Sequence, residues 1–154
     1  GVSKALVEAD PQALCVTGVH QNHRLKSSVG FSAVFGRVFV HFVNGSGMLE
    51  LHPETGEFTS CEGGWPSQAY RLVTGGQGAP CCALVPMRVF DTHLRVNAQA
   101  CSLHRIWPDG RSRLLSVFAG GNCSDIAVLP RRDGFSVFVA SSGTIMKHDF
   151  GEEQ

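Results

Sequence analysis

The segment Gly36-Arg37-Val38-Phe39-Val40-His41-Phe42-Val43-Asn44-Gly45-Ser46-Gly47-Met48-Leu49-Glu50-Leu51 decides the fold class. Val38, Val40 and Phe42 alternate with Phe39, His41 and Val43, the period of an extended strand, which predicts one aliphatic face, one mixed face and cover on both. Asn44 to Gly47 are residues that tolerate positive φ. An extended pattern then resumes at Met48, so the two runs read as a β-hairpin.

Outward from this hairpin the same grammar recurs. Apolar runs of a few residues are separated by turn residues, and the chain carries 18 glycines in 154 residues. Pro108-Asp109-Gly110 predicts a second hairpin between an arm with Leu103, Arg105 and Trp107 on one face or His104 and Ile106 on the other, and an arm carrying Leu114, Leu115 and Val117. A third joins residues 136–140 to residues 144–147 through Ser141-Ser142-Gly143. Gly75-Gly76-Gln77-Gly78-Ala79-Pro80 is the most linker-like stretch and is expected as a sub-domain boundary. Near the N-terminus, Ser3 capping Lys4-Ala5-Leu6-Val7-Glu8-Ala9 predicts a short helix.

Composition narrows the function classes. With 13 basic and 13 acidic residues the formal charge is zero, and they are dispersed, so no nucleic-acid footprint is present. Apolar runs break within about six residues, far below the roughly 20 of a membrane-spanning helix. No membrane partner is therefore expected. The six cysteines, Cys15, Cys61, Cys81, Cys82, Cys101 and Cys123, accompany 43% hydrophobic residues, enough for a core without disulfide staples. They read as core thiols of an intracellular protein.

Three chemistries were weighed against this pattern. Cys101 and His104 are a nucleophile-base pair by composition, but residues three apart on a strand point to opposite faces. Zinc would have to use His93, Cys101, His104 and the adjacent Cys81-Cys82, without a Cys-x-x-Cys knuckle. Gly75-Gly76-Gln77-Gly78 lacks the following Lys-Ser/Thr of a phosphate loop. No catalytic residue, metal or cofactor is expected, and a zinc- or cysteine-dependent hydrolase is the least favoured class.

The run from Val29 through Leu51 resembles the opening three strands of a polo box: Gly30-Phe31 begins a strand, Gly36 turns into an apolar strand ending Phe42-Val43-Asn44, and a hairpin leads on. Glu57-Phe58-Thr59-Ser60-Cys61 and Tyr70-Arg71-Leu72-Val73 are similar to that family's next hairpin. Residues 87–96 and 101–117 echo the same order more weakly. The resemblance implies a mainly β (α+β) fold of two small antiparallel-sheet polo-box-like repeats packed together, with little helix. Its parts are an N-terminal extension, partly helical, over 1–28, a first repeat over 29–75 and a divergent second repeat over 76–154. It also implies a non-enzymatic docking and localisation module of a kinetochore or centriole kinase-like protein, acting in the nucleus at the kinetochore or at the centriole and basal body. Its partner would be a protein, a scaffold or kinetochore or centriole component, and unpaired strand edges leave a homodimer open. Candidate partner-binding residues are Phe39, His41, His93, Arg95 and Trp107; His93 and Arg95 stand near the family's phosphate-reading turn. No strong helical period matches the helix that closes a polo box. A second resemblance, to one blade of a β-propeller, is carried by Ser124-Asp125-Ile126-Ala127-Val128 through Thr144-Ile145-Met146-Lys147-His148-Asp149, and implies a propeller scaffold.

Overall fold

The computed structural model describes residues 4–42, 47–61, 71–74, 78–91, 95–119, 123–141 and 143–154. It is mainly β. Among the described residues thirteen strands run in chain order: β1 (Ala5–Asp10), β2 (Cys15–Gln21), β3 (Ser28–Val34), β4 (Arg37–Phe42), β5 (Met48–His52), β6 (Glu57–Ser60), β7 (Arg71–Thr74), β8 (Cys81–Asp91), β9 (Val96–Ile106), β10 (Ser112–Ala119), β11 (Cys123–Arg131), β12 (Gly134–Ser141) and β13 (Thr144–Gly151). One 3-10 helix, η1 (His23–Ser27), links β2 to β3.

The strands form four antiparallel sheets, each a meander in which sequence neighbours are hydrogen-bonded neighbours: a β1–β2 ribbon, a second sheet β3–β6, a third sheet β7–β10 and a fourth sheet β11–β13. The β4–β5 hairpin pairs Val38 with Leu51 and Val40 with Leu49. Pairing of β9 with β10 and of β12 with β13 likewise realises the hairpins read from Pro108-Asp109-Gly110 and from Gly143. Between β3 and β4 the chain reverses on Phe35 and Gly36, both at positive φ (55° and 70°), the type I′ signature that suits strand twist.

Two expectations give way to different structure. Residues 4–9, expected as helix, fall instead largely in β1 (Ala5–Asp10), because that strand pairs with β2, Val7 opposite Val19. A short segment has little helical stability of its own, so a ladder partner outweighs its Ala, Leu and Glu propensities. The helical content described in the N-terminal extension is η1 instead, capped by the Asn22 side chain accepting from Arg24 N at 2.9 Å. Residues 57–61 and 70–73, expected to form one hairpin, supply β6 and β7, which belong to different sheets: β6 pairs with β5 and β7 with β8. Of the linker-like stretch, residues 75–77 lie outside the described residues, and the strands flanking it, β7 and β8, pair with each other.

The sheets stack face to face through three apolar seams. On one side of β4, Val40 and Phe42 meet Leu25 and Leu49, with Leu6 packed against them. On its other side Phe39, with Val34 and Met48, meets Leu72, Cys81, Ala83 and Ile106 of the third sheet. The opposite face of that sheet, Cys82, Leu84, Cys101, Leu103 and Phe118, packs on Ile126, Val128, Phe135, Val137 and Val139 of the fourth. The opening strands of successive sheets also lie side by side, β3 beside β7 and β7 beside β11.

A polar bridge pins the middle seam. Ser32 Oγ lies 2.7 Å from His41 Nε2 and accepts the Leu72 N–H at 3.3 Å, joining β3, β4 and β7. Ser32→Ala should cost about 2–3 kcal/mol by orphaning buried polar atoms, read from chemical denaturation. Gly134 is a second sensitive point. Its φ is 144°, and a Cβ there would run into the Phe150 carbonyl oxygen. Gly134→Ala should therefore lower stability by roughly 2 kcal/mol or more and loosen the β12–β13 pairing, visible as faster amide exchange on those strands.

Candidate functional site

The proposed partner-binding residues separate into two environments. Phe39 and His41 are both fully buried, inside the seam between the second and third sheets. Arg37 joins them on that face, its guanidinium 5.1 Å from the Phe39 ring centroid and forked onto Glu50 through Nε–Oε1 at 2.7 Å and Nη2–Oε2 at 2.6 Å. This hydrogen-bonded pairing lowers the Glu50 pKa and raises that of Arg37. These side chains hold two sheets together, and a partner could reach them only if the sheets parted.

Trp107 is placed differently. It is half-buried at the end of β9, where the chain turns through Pro108-Asp109-Gly110 into β10. The turn is closed by Gly110 N–H donating to Trp107 O and Trp107 N–H donating to Arg111 O, both at 2.9 Å, with Gly110 at φ 87°. Two guanidiniums lie near the indole: Arg105 at 4.9 Å and Arg111 at 5.8 Å from the ring centroid. Arg105 also lies 5.7 Å from the Phe135 ring and donates to the Glu152 carbonyl at 3.0 Å, while Arg113 donates to that of Glu153 at 2.8 Å. The segment after β13 thus orients one cation of the pair. Arg111 is oriented by Asp109, which accepts its Nε at 2.6 Å and its N–H at 3.0 Å; these bonds, the backbone one first, lower the Asp109 pKa. Neither arginine is among the candidate site residues, although the sequence puts Arg105 with Leu103 and Trp107 on one face of the hairpin arm. The available signal was spacing, since Arg105 lies two residues before Trp107 and so shares its face of the strand.

Arg95 is exposed and holds positive φ (53°) just before β9. His93 lies outside the described residues. Other chemistry-bearing groups are accounted for by packing. Cys101 faces the fourth sheet and His104 the second, on opposite sides of β9, while His104 Nε2 lies 2.8 Å from Ser102 Oγ. Burial pushes the thiols of Cys81 and Cys82 up to about 12 and those of Cys61 and Cys123 up to about 11, which disfavours the thiolate needed for attack or metal ligation. Among the described residues no cluster of three His, Cys, Asp or Glu side chains could hold a metal ion, and no helix is long and apolar enough to cross a membrane. A cavity of about 250 Å³ between β1, η1 and β3, bounded by Lys4, Leu6, Leu25, Phe31 and Val40, is smaller than the roughly 300–1,000 Å³ of ordinary ligand sites.

Burial also lowers the His104 pKa below its ordinary 6.5. The unfolded chain then binds the proton more readily than the folded one. Stability should accordingly be fully present above pH 6.5 and decline as pH falls below it, levelling once the folded-state pKa is passed. His104→Gln should flatten that portion of a pH-stability profile measured by denaturant unfolding.

No family model, curated protein or solved structure matches this chain.

Proposed function

We propose that this chain is a protein-docking module, a stack of propeller-type blades that presents the Trp107 hairpin end to a protein partner. The indole beside two guanidiniums carries the reading. Trp and Arg dominate interface hot spots, and here a half-buried Trp has two guanidiniums within 6 Å of its ring, hydrogen-bonded to Asp109 and to the Glu152 carbonyl. Preorganised side chains of this kind lose little entropy on binding. The surface suits a partner offering an apolar side chain with carboxylate, phosphate or carbonyl acceptors beside it.

Support for the blade reading comes from strand order. A blade is a four-stranded meander whose first strand lies nearest the propeller axis; the second and third sheets have four strands each in sequence order, and the first strands of three successive sheets adjoin. The polo-box reading keeps one specific support. Strands β3, β4 and β5 form the two consecutive hairpins that the resemblance implies, and it would direct docking to a kinetochore or centriole kinase-like assembly. Both readings make the chain a scaffold without catalytic machinery of its own.

The test is affinity capture from native extract by the wild-type chain and by Trp107→Ala and Arg111→Glu variants, in parallel with phosphatase-treated extract. One protein retained by the wild type should be lost with Trp107→Ala, whose cost at a hot spot is about 2 kcal/mol or more, roughly 30-fold in affinity. Loss after phosphatase would identify phosphate as the acceptor. Equal retention by all variants would remove the Trp107 site.

A further inference from the structure

Two buried thiols meet across the seam between the third and fourth sheets. Cys101 lies in the middle of β9, opposite Pro86 of β8 and Phe118 of β10, and its side chain belongs to the apolar cluster facing the fourth sheet. Cys123 opens β11, opposite Ser141 of β12, and enters the same cluster from the other side. Topology brings the two together. The chain leaves the third sheet at Phe118 and Ala119, directly beside Cys101 and Ala100, and Cys123 is the first residue of the next sheet. Cys101 is 4% and Cys123 5% exposed. Their thiols are hydrogen-bonded to each other, and Cys123 is also bonded to the Ser141 side chain.

The other cysteines are arranged differently. Cys81 and Cys82 are adjacent in sequence, but strand alternation sends them to opposite faces of β8, Cys81 into the middle seam and Cys82 into the one beyond it. Cys15 is exposed on the ribbon, and Cys61 packs against the middle seam. Around Cys101 and Cys123 the cluster consists of aliphatic and aromatic side chains, whose contact is non-directional. A covalent bond at this point would fix the third sheet on the fourth at one position.

We infer that Cys101 and Cys123 are a disulfide-forming pair that locks the third sheet to the fourth, with a low-molecular-weight disulfide such as oxidised glutathione as the oxidant. The exchange balances in two steps. The Cys123 thiol loses its proton, its sulfur attacks one glutathione sulfur, and the other glutathione departs as a thiolate that takes up a proton. Cys101, deprotonated in turn, attacks the Cys123 sulfur of this mixed disulfide and releases the second glutathione. One disulfide is consumed and one formed, and two electrons pass from the protein sulfurs to glutathione. Burial pushes the Cys123 thiol up to about 11, so thiolate is scarce in the folded chain and the exchange runs faster while the chain folds or the seam opens. The same burial shields the finished bond from reducing thiols, which makes it a lock rather than a rapid sensor. This inference is independent of the Trp107 site.

The experiment refolds the reduced 154-residue chain in glutathione buffers of graded redox ratio, followed by acid quench, unfolding, alkylation and intact-mass measurement. The more oxidising buffers should give a species with two fewer alkylated thiols. Trypsin then separates the pair, since residues 96–105 carry Cys101 alone and residues 114–131 carry Cys123 alone; these two peptides should be joined until a reductant is added. The bond closes a loop of about 20 residues, so the oxidised form should show a folding equilibrium constant about 100-fold larger in denaturant unfolding. Cys123→Ser should abolish the joined peptides and Cys15→Ser should leave them. Six alkylated thiols at every ratio, a bond mapped to other cysteines, or a joined form no more stable than the reduced one would overturn the inference. The peptide map is read on the wild type, so it decides the matter even where Cys123→Ser does not fold.

Discussion

The architecture depends on a strand that must be covered on both sides. Every described residue of β4 from Phe39 to Phe42 is buried, so the second sheet can exist only as an inner layer. The ribbon, η1 and Leu25 supply one cover and the third sheet the other. Within the second cover, Ser32 converts a non-directional apolar contact into a defined register: its hydroxyl meets both His41 and the backbone of Leu72, which fixes where β7 can lie against β3. A buried imidazole is costly without a partner, so slippage of one sheet on the other is penalised by an unsatisfied polar group as well as by lost packing.

The Arg37–Glu50 fork works at the margin of the same seam. Glu50 lies directly across the ladder from Phe39, and its side chain is only 12% exposed, against 34% for that of Arg37. Two hydrogen bonds to one guanidinium compensate the carboxylate's burial. The pair therefore lets a charged residue occupy an inward-facing position without opening the seam to water. The Trp107 hairpin end uses the same device outside the core, where the Asp109 carboxylate accepts from Arg111 Nε at 2.6 Å.

Much of this was written in local sequence, and the failures have a common cause. Hairpins were legible because their chemistry is local: Gly110 and Gly143 occupy positive φ where the turns require it, and alternation marks the flanking strands. What no local signal specified was which strands share a sheet. Residues 57–61 and 70–73 look like hairpin arms because each alternates and they are neighbours in sequence, yet each finds a better partner on its other side. The N-terminal strand failed for the same reason, since its helical propensity is visible locally and its partner β2 is not. Among site residues, Trp107 was legible as an aromatic beside a tight turn and Arg105 as sharing its face by strand alternation, whereas the return of Arg111 to the ring through the turn was not. Phe39 and His41 were legible as a mixed face for which burial between layers is a stronger reading than a partner groove, and both are fully buried.

Alternation also gives physical content to the open ends. A sheet at the end of a stack needs only one apolar face, and the other is ordinarily polar, since water covers it. Strand β1 does not follow that rule: Ala5, Val7 and Ala9 occupy its outward positions, while the acidic Glu8 lies on the inward side and is paired with His20 at 2.9 Å. A charge on the covered side and valines on the uncovered side invert what a terminal layer requires. The fourth sheet follows the rule instead, with Ile126, Val128, Phe135, Val137 and Val139 on its covered side and Arg131, Lys147 and Asp149 on its outward side, where Ile145 is 73% exposed. Of the two end layers only the ribbon departs from the rule, with Val7, Val16 and Val19 each more than half exposed on its outward side.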